Sequence, residues 1–342
     1  MDYGKVTTIK DVALLAGVSI GTVSNVLNGL PGVKNRNKEN VLRAIRQLNY
    51  SPNTTAQSLK TNRSKTIGLM LPAIDNPFYP ELTRGVEDYA KSNEFSIILC
   101  NTNRDYQKET QYLEVLFSKR VEGVILVKTR LPAAMLKQTA GKLKYVLVDS
   151  LAGGYVNADS IGVDNYGGCT QMMEFLHENG HTKIAFIKGD VESRSAHDRF
   201  LAYTDFLSGI NIAVRDEYVK SGSTEFSWKN GYRAAQELLA LADRPTAVFA
   251  SNDIMAIGAI KAIKESGLRV PEDISVCGFD DIEMCELVSP ALTTVYHPKY
   301  EQGVTAARLL IDLLTEKEPS MVRNFTLKTE LIIRGSAGPA AV

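Results

Sequence analysis

Two rhythms of apolar and polar residues run along this 342-residue chain. Over the first fifty positions the rhythm is helical and short. Ile9, Val12, Ala13 and Ala16 recur at three- and four-residue steps, which places them on one helical face. Thr8 stands just ahead as an N-cap, and Asp11 is spaced to reach back to it in a capping box, an Asp where Glu is usual. Gly17 breaks this helix where a tight turn is wanted, and Val18 is placed to plug the core beneath it. Ser19 caps a second helix with Val23, Val26 and Leu27 facing inward, and Asn28-Gly29 ends it. Val41, Leu42, Ile45 and Leu48 predict a third helix over Lys38–Leu48. Three short helices with a glycine turn between the first two predict a helix-turn-helix.

From Thr66 the rhythm changes. Compact apolar runs at Thr66–Leu71, Phe95–Asn101, Gly123–Val127, Tyr145–Asp149, Ile184–Gly189, Ala247–Ala250 and Ser275–Gly278 read as strands. Amphipathic segments such as Pro80–Ser92, Thr110–Lys119, Gly167–Asn179, Gly231–Leu241 and Met255–Ser266 separate them. Strand–helix alternation predicts parallel sheets in an α/β fold. A polar break near Ser160–Asp164 predicts two doubly wound lobes, and such folds bind ligands at the carboxyl ends of their strands. The length suits a small module joined to a two-lobed domain.

Composition sharpens the division of labour. Residues 1–65 carry ten Lys and Arg against three Asp and Glu, a net of +7; the rest carries 29 against 36, a net of −7. A basic module on an acidic body is the electrostatic footprint of nucleic-acid binding at one end. The hydrophobic share of 44% and charged share of 23% are those of a soluble globular protein. No apolar run approaches the roughly 20 residues of a spanning helix. Met1–Lys5 lacks the apolar stretch of a secretory leader, so a cytoplasmic location with no membrane partner is expected. Cys100, Cys169, Cys277 and Cys285 show no metal-like or CxxC spacing and read as buried, reduced thiols.

Catalytic signatures are missing. The chain has no GxGxxG or GxxxxGK[ST] phosphate loop, no HExxH, and no Ser/His/Asp or Cys/His set in a motif context. Four histidines supply metal chemistry poorly, and no cofactor or metal is expected. A ligand-gated DNA-binding regulator is the first reading, with an enzyme on a doubly wound sheet acting on a small polar metabolite as the alternative. A transport-binding protein of similar build would need a leader and would lack the basic module.

On the first reading the second helix enters the major groove with its N-terminal residues on base edges. Ile20, Gly21 and Asn25 are the outward positions, and Thr22 and Ser24 reach phosphates. Asn can pair two-pronged with adenine, and Ile20 offers apolar contact to a thymine methyl. Thr8, Ser19 and Asn28 flank this surface, and Lys34 and Lys38, with Lys5, supply phosphate contacts.

These residues carry a resemblance. Ile9-Lys10-Asp11-Val12-Ala13, Ala16-Gly17-Val18-Ser19, Thr22–Gly29, Leu48–Asn53 and Ala56-Gln57-Ser58-Leu59 are similar, in order and spacing, to the headpiece of the lac/galactose repressor family. Later motifs extend the match over nearly the whole chain. Two departures stand out. Asn25 replaces a frequent Arg, which implies a different operator base. Val33–Lys38 replaces the usual Ser and Thr-Arg opening of the third helix, which changes the phosphate contacts. The resemblance implies a DNA-binding headpiece over residues 1–50, a hinge helix and linker over 51–65, and an effector-binding and dimerisation domain over 66–342. That domain would be periplasmic-binding-protein-like, an α/β sensor with two doubly wound parallel-sheet lobes, beside the all-α headpiece. Its lobes would run over about 66–162 plus 294–322 and 163–293 plus 323–340. Tyr50, Asn53 and Ala56 join the DNA-binding set. Pro52 fits helix position N1, and nine residues from there to Lys60 are too few to hold a helix alone, so the hinge should order on DNA. Leu59 becomes the wedge that kinks the minor groove.

For the effector the resemblance implies Asp75, Asn76 and Phe78 after the first strand, Asp149 after the fourth, Ser193 and Arg199 as clamp, and Asn252, Asp280 and His297 beyond. Each has an alternative: Asn252 or Asp253 as a helix cap, Asp280 as a turn residue, Arg199 in a structural salt bridge. Phe78 and Phe226 serve as stacking platforms or as core, and Trp228 reads as packing. Lys128, Arg130 and Lys188 read as solvent-facing loop charges; in the cleft they would favour a sugar acid or sugar phosphate. Asp149, Asp280 and Asn252 as acceptors and Arg199 as a donor fork fit a neutral monosaccharide or disaccharide, with an anionic sugar second. The sum of these expectations is a repressor that binds a palindromic operator as a homodimer. A tetramer is not expected, because no leucine heptads follow Arg334.

Overall fold

The structure, a computed structural model, describes residues 7–50, 63–150, 156–190, 193–221, 227–315 and 321–341. It divides into two compact units, residues 1–64 and 65–342.

The small unit contains α1 (Ile9–Ala16), α2 (Ile20–Leu27) and α3 (Asn35–Gln47). The Asp11 carboxylate accepts from the Thr8 backbone N–H at 2.8 Å and from its hydroxyl at 2.7 Å. Gly17 turns the chain with φ +66°, a left-handed conformation that costs glycine little. Ser19 Oγ accepts from the Thr22 N–H at 3.1 Å and so starts α2. Val12, Val23 and Val41 are completely buried where the three helices meet, and Ile9, Val18, Val26, Ile45 and Leu48 pack around them. Two details depart from the sequence pattern. Leu42, expected inward, is 42% exposed, because it lies one helical step round from Val41. The helix α3 begins at Asn35 rather than Lys38, since its polar first turn carries no apolar signal.

The large unit opens with β1 (Thr66–Leu71), α4 (Phe78–Ser92), β2 (Ser96–Asn101), α5 (Tyr106–Ser118), β3 (Gly123–Val127), α6 (Ala133–Ala140), β4 (Lys144–Val148) and β5 (Ser160–Val163). It continues with α7 (Asn165–Glu178), β6 (Ile184–Lys188), α8 (Arg194–Gly209), β7 (Val219–Ser221), α9 (Trp228–Leu239), β8 (Ala247–Ala250), α10 (Asp253–Glu265), β9 (Ser275–Cys277) and α11 (Met284–Leu287). The last elements are β10 (Thr294–Tyr296), α12 (Lys299–Thr315), β11 (Asn324–Leu327) and β12 (Glu330–Ile332).

Two parallel sheets result. The first lobe has the order β11-β5-β4-β3-β1-β2 and the second β7-β6-β8-β9; β10 and β12 pair antiparallel as a separate ribbon. Two expectations are corrected. The polar segment Ser160–Asp164 is no break: Ile161 and Val163 are buried and β5 pairs with both β4 and β11. The stretch from 323 onward does not pass directly to the second lobe, because β11 completes the first sheet. Only beyond it does the chain return, with the Ser336 carbonyl accepting from Val276 N–H in β9. Among the described residues the chain thus passes between the sheets after β5, between β9 and α12, and between β11 and β12.

A close helix pair packs against each sheet. A Cβ on Gly303 of α12 would fall 2.1 Å from the Leu82 carbonyl oxygen of α4, so the two backbones touch. In the second lobe a Cβ on Gly231 of α9 would fall 1.9 Å from the Met255 carbonyl oxygen of α10. The first contact brings the N-terminal ends of α4 and α12 together, and with them Phe78 and His297. Gly303→Ala is expected to lower the urea midpoint, at a cost of about 1–3 kcal/mol for forcing packed backbones apart. Gly209→Ala, where a Cβ meets open space, is the control and should leave stability unchanged or slightly raised. Equal midpoints for Gly303→Ala and wild type in chemical denaturation would contradict this packing.

Candidate nucleic-acid interface and effector cleft

The residues singled out on the headpiece share one character: they contribute little to its core. Thr8, Ser19, Ile20, Gly21, Asn25 and Asn28 are exposed, as are Lys34 and Lys38, while Thr22 and Ser24 are half-buried. Ile20 keeps 44% of its surface in water, which core packing does not explain. The Ser19 and Thr22 hydroxyls share a hydrogen bond at 3.0 Å, and Asn28 Nδ2 donates to Ser24 Oγ at 3.3 Å, so these groups are pre-oriented at the two ends of α2. Tyr50 is half-buried against the headpiece core, and its N–H bonds the Ile45 carbonyl. Asn53, Ala56 and Leu59 lie outside the described residues, as does Lys5.

In the large unit, charged side chains follow the carboxyl ends of strands from both sheets. Arg104, Lys128 and Asp149 follow β2, β3 and β4 with φ of +57°, +49° and +48°. Asp280 follows β9 with φ +118°, and Asp281 has +52°. Backbone of this kind in non-glycine residues persists only where the surroundings hold it, and it concentrates at functional sites.

Arg199 of α8 is 3% exposed and engaged on every side. Its Nε donates to Asn165 Oδ1 at 2.8 Å, Nη1 to the Ser251 carbonyl at 2.5 Å and Nη2 to Asp280 Oδ1 at 3.2 Å. The guanidinium lies 3.5 Å over the Phe279 ring. Of the two readings of Arg199, the salt bridge is present, with Asp280 at 3.2 Å. Asp280 is held from the other side by the buried Lys299, whose ammonium donates to the Asp280 and Asp281 carbonyls at 2.8 and 3.0 Å.

His297 is completely buried, edge-on to Phe78 at 4.7 Å between ring centres. Its Nε2 shares a 2.9 Å hydrogen bond with Gln302 Oε1. Since that oxygen only accepts, Nε2 carries the proton and Nδ1 presents a lone pair. Burial, with the cations Arg199, Lys128 and Lys299 nearby, holds the ring neutral by pushing its pKa well below the usual value. Nδ1 has no hydrogen-bond partner and lies 4.0 Å from Asp280 Oδ1. Asp149 Oδ2, Ser251 Oγ and the donor Gln302 Nε2 are also buried without a well-formed hydrogen bond, and Gln302 lies where it favours the charged form of Asp149. Burial raises the Asp149 pKa, against the pull of neighbouring Lys128.

Some expected roles change. Asn252 Oδ1 is committed to capping α10, accepting from Met255 N–H at 2.9 Å, so only its amide donors remain for a ligand. Its neighbour Asp253 faces inward, accepting from Ile282 N–H and the Thr294 hydroxyl, and burial raises its pKa to about 7. Asp75 is exposed, and Asn76 Oδ1 accepts from Phe78 N–H at 2.9 Å to shape the start of α4. Phe78 is 3% exposed and packs between Tyr79 and His297, so it builds the cleft floor more than it offers an open ring face. Ser193 is buried, its hydroxyl 2.8 Å from that of Ser195. Phe226 lies outside the described residues.

Lys128 is no solvent-facing loop charge. It sits 5.5 Å from the Phe78 ring, with Asp149 and Asp280 as its favourable charges, and desolvation lowers its pKa. Arg130 is paired too, with Asp190 at 2.7 Å, whereas Lys188 lies over the Phe200 ring at 3.5 Å. Trp228, read as packing, is 44% exposed and lines a cavity of about 610 Å³ with Asp75, Asn76, Arg104 and Met284. Among the described residues no group of three or more His, Cys, Asp or Glu is arranged to hold a metal. No single helix there is long and apolar enough to cross a membrane.

Comparison with known proteins agrees with both halves. Residues 8–53 match the lacI family of bacterial regulatory proteins, and residues 173–337 match the periplasmic binding protein-like domain. The chain is 38% identical over 333 residues to the HTH-type transcriptional repressor PurR of Mannheimia succiniciproducens, covering 96% of this chain and 98% of that one. The lac repressor dimer bound to operator and the anti-inducer ONPF superposes with a TM-score of 0.87 at 28% identity, covering 97% of this chain and 99% of that chain. The complex of the transcriptional regulator CelR with cellobiose gives 0.73 at 31% identity, covering 96% and 99%. A helix-turn-helix headpiece joined to a two-lobed sensor, matched over nearly its full length by such relatives, makes this chain a member of the lacI family: a DNA-binding transcriptional repressor, not an enzyme.

Proposed function

We propose that two copies of the chain bind a pseudo-palindromic operator in the cytoplasm, and that a polyhydroxylated small molecule in the cleft controls this binding. The observation that carries the ligand class is the set of buried groups lacking partners. The His297 Nδ1 lone pair and Asp149 Oδ2 are acceptors, Gln302 Nε2 is a donor and Ser251 Oγ can serve either way, while Asp280 Oδ1, held by Arg199, lies 4.0 Å from His297 Nδ1. A buried acceptor without a donor costs about 1–3 kcal/mol, and sugar hydroxyls are donors that would meet several at once. The CelR relative, with cellobiose, supports the same class. Most cations of the cleft already face an anion, Arg199 with Asp280 and Lys128 with Asp149, so a neutral monosaccharide or disaccharide fits best. The burial of Lys128 favours an anionic sugar as second reading.

On the headpiece, Ile20, Gly21 and Asn25 read base edges; Thr8, Ser19, Thr22, Ser24, Lys34 and Lys38 anchor to phosphate. One headpiece spans too few base pairs for specificity, which two-fold symmetry in protein and operator supplies.

Three outcomes follow. Operator affinity should fall steeply with salt, and removing Lys34 or Lys38 should flatten the log–log slope by roughly one per lost phosphate contact; a flat plot on a symmetric site would refute the phosphate roles. Leu59→Ala should weaken operator binding more than random-DNA binding, because the unstacking it offsets is needed only at the bent site; equal losses in gel shifts would reject the wedge. A thermal-shift panel of neutral sugars, sugar acids, sugar phosphates and purines should yield a sugar. For that sugar, Asp280→Ala and Arg199→Ala should each cost about 2–4 kcal/mol, roughly thirtyfold or more in Kd by calorimetry. Unchanged affinity in both variants, or tight purine binding with no sugar binding, would overturn the assignment.

A further inference from the structure

Asp190 follows β6 in the second lobe, while Arg104 and Arg130 follow β2 and β3 in the first. They are 86 and 60 residues from it in sequence. Arg130 Nη2 lies 2.7 Å and Arg104 Nη1 3.2 Å from the same oxygen, Asp190 Oδ2. The Asp190 side chain is 6% exposed and that of Arg104 is 12%, so these charges have left water to meet. Neither lobe needs the contact in order to fold, because each sheet has its own hydrophobic clusters. A buried carboxylate stripped of cationic partners is strongly disfavoured, so the arrangement is stable only while the two strand ends stay together.

We propose that Asp190, Arg104 and Arg130 form a latch that holds the two lobes closed over the cleft. Arg104 gives the latch its link to ligand. It also lines the cavity that holds Trp228 and Asn76, so a molecule entering there touches one arm of the latch. This link rests on the reading of that cavity, through Asp75 and Asn76, as part of the effector site. The latch itself does not. A closed cleft and an open one then differ by an ion cluster that is desolvated in one state and hydrated in the other. An effector that contacts Arg104 can shift that balance only through its different affinity for the two states.

The test uses the full chain without ligand. Cysteines replace Gln107 in α5 and Lys261 in α10, both exposed, and carry nitroxide labels; the four native thiols are buried. Pulsed electron–electron resonance gives the distance distribution between the lobes. The labelled protein should show a dominant short-distance population, and Asp190→Asn should add a longer one. Arg104→Gln with Arg130→Gln, which alters the other lobe, should add the same longer population, and it stands alone as the test if Asp190→Asn lacks a cooperative melt. Identical distributions in the folded variants and the parent would overturn the latch. Because no effector is present, that failure is distinct from failure of the sugar panel, which tests the cleft.

Discussion

A buried guanidinium has to have its charge and its donors answered, and in this protein the answer to Arg199 organises the second lobe around the cleft. Its partners come from the start of α7, the end of β8 and the end of β9, and the last two segments are joined further by Asp253, whose N–H donates to the Phe279 carbonyl and whose carboxylate accepts from the Ile282 N–H. Removing one member of such a buried pair typically costs about 3–5 kcal/mol, because the remaining charge stays desolvated. The same contacts aim Asp280 at the cleft, and Lys299 then fixes its backbone from the side of α12. Stability and the placement of Asp280 are thus carried by the same few atoms. That is why the strained φ of Asp280 can persist.

The chain passes between the sheets repeatedly, and the second of these passages carries His297, Lys299 and the residues they hold. Asp253 ties the passage to the second lobe through the Thr294 hydroxyl, while the close α4–α12 contact ties it to the first. A ligand that satisfies Asp149 from one lobe and Asp280 from the other would fix the relation between lobes that those passages otherwise leave adjustable.

Much of this was legible in the sequence, because the physics involved is local. The capping pair Thr8 and Asp11, the turn at Gly17 and the valines of the headpiece core follow from helical spacing alone. The buried strands announce themselves as short apolar runs. What escaped depended on partners far along the chain. The strand β5 looks polar because Ser160 and Gly162 alternate with its two buried residues. Periodicity put Leu42 inside because it sees spacing and not the neighbouring helix. In the cleft, Asp149, Arg199 and Asp280 could be named from motifs, but which atoms remain open to a ligand could not: Asn252 spends its oxygen on a helix cap. Lys128 and the pairing of Arg104 with Asp190 gave no local signal, since a lone charge in a loop reads as surface until the facing lobe is in place, and Trp228, read as packing, is exposed at the start of α9.

The central claim is that one chain couples a base-reading headpiece to a hydroxyl-reading cleft. It is tested most directly by selecting operator DNA from a random library with the full-length protein. Operator affinity is then measured by fluorescence anisotropy with and without a saturating sugar that binds the cleft. The account predicts a two-fold symmetric consensus whose Kd changes at least about tenfold on sugar addition, the usual scale of allosteric coupling. An asymmetric or absent consensus, or an operator affinity indifferent to a sugar that demonstrably fills the cleft, would contradict it.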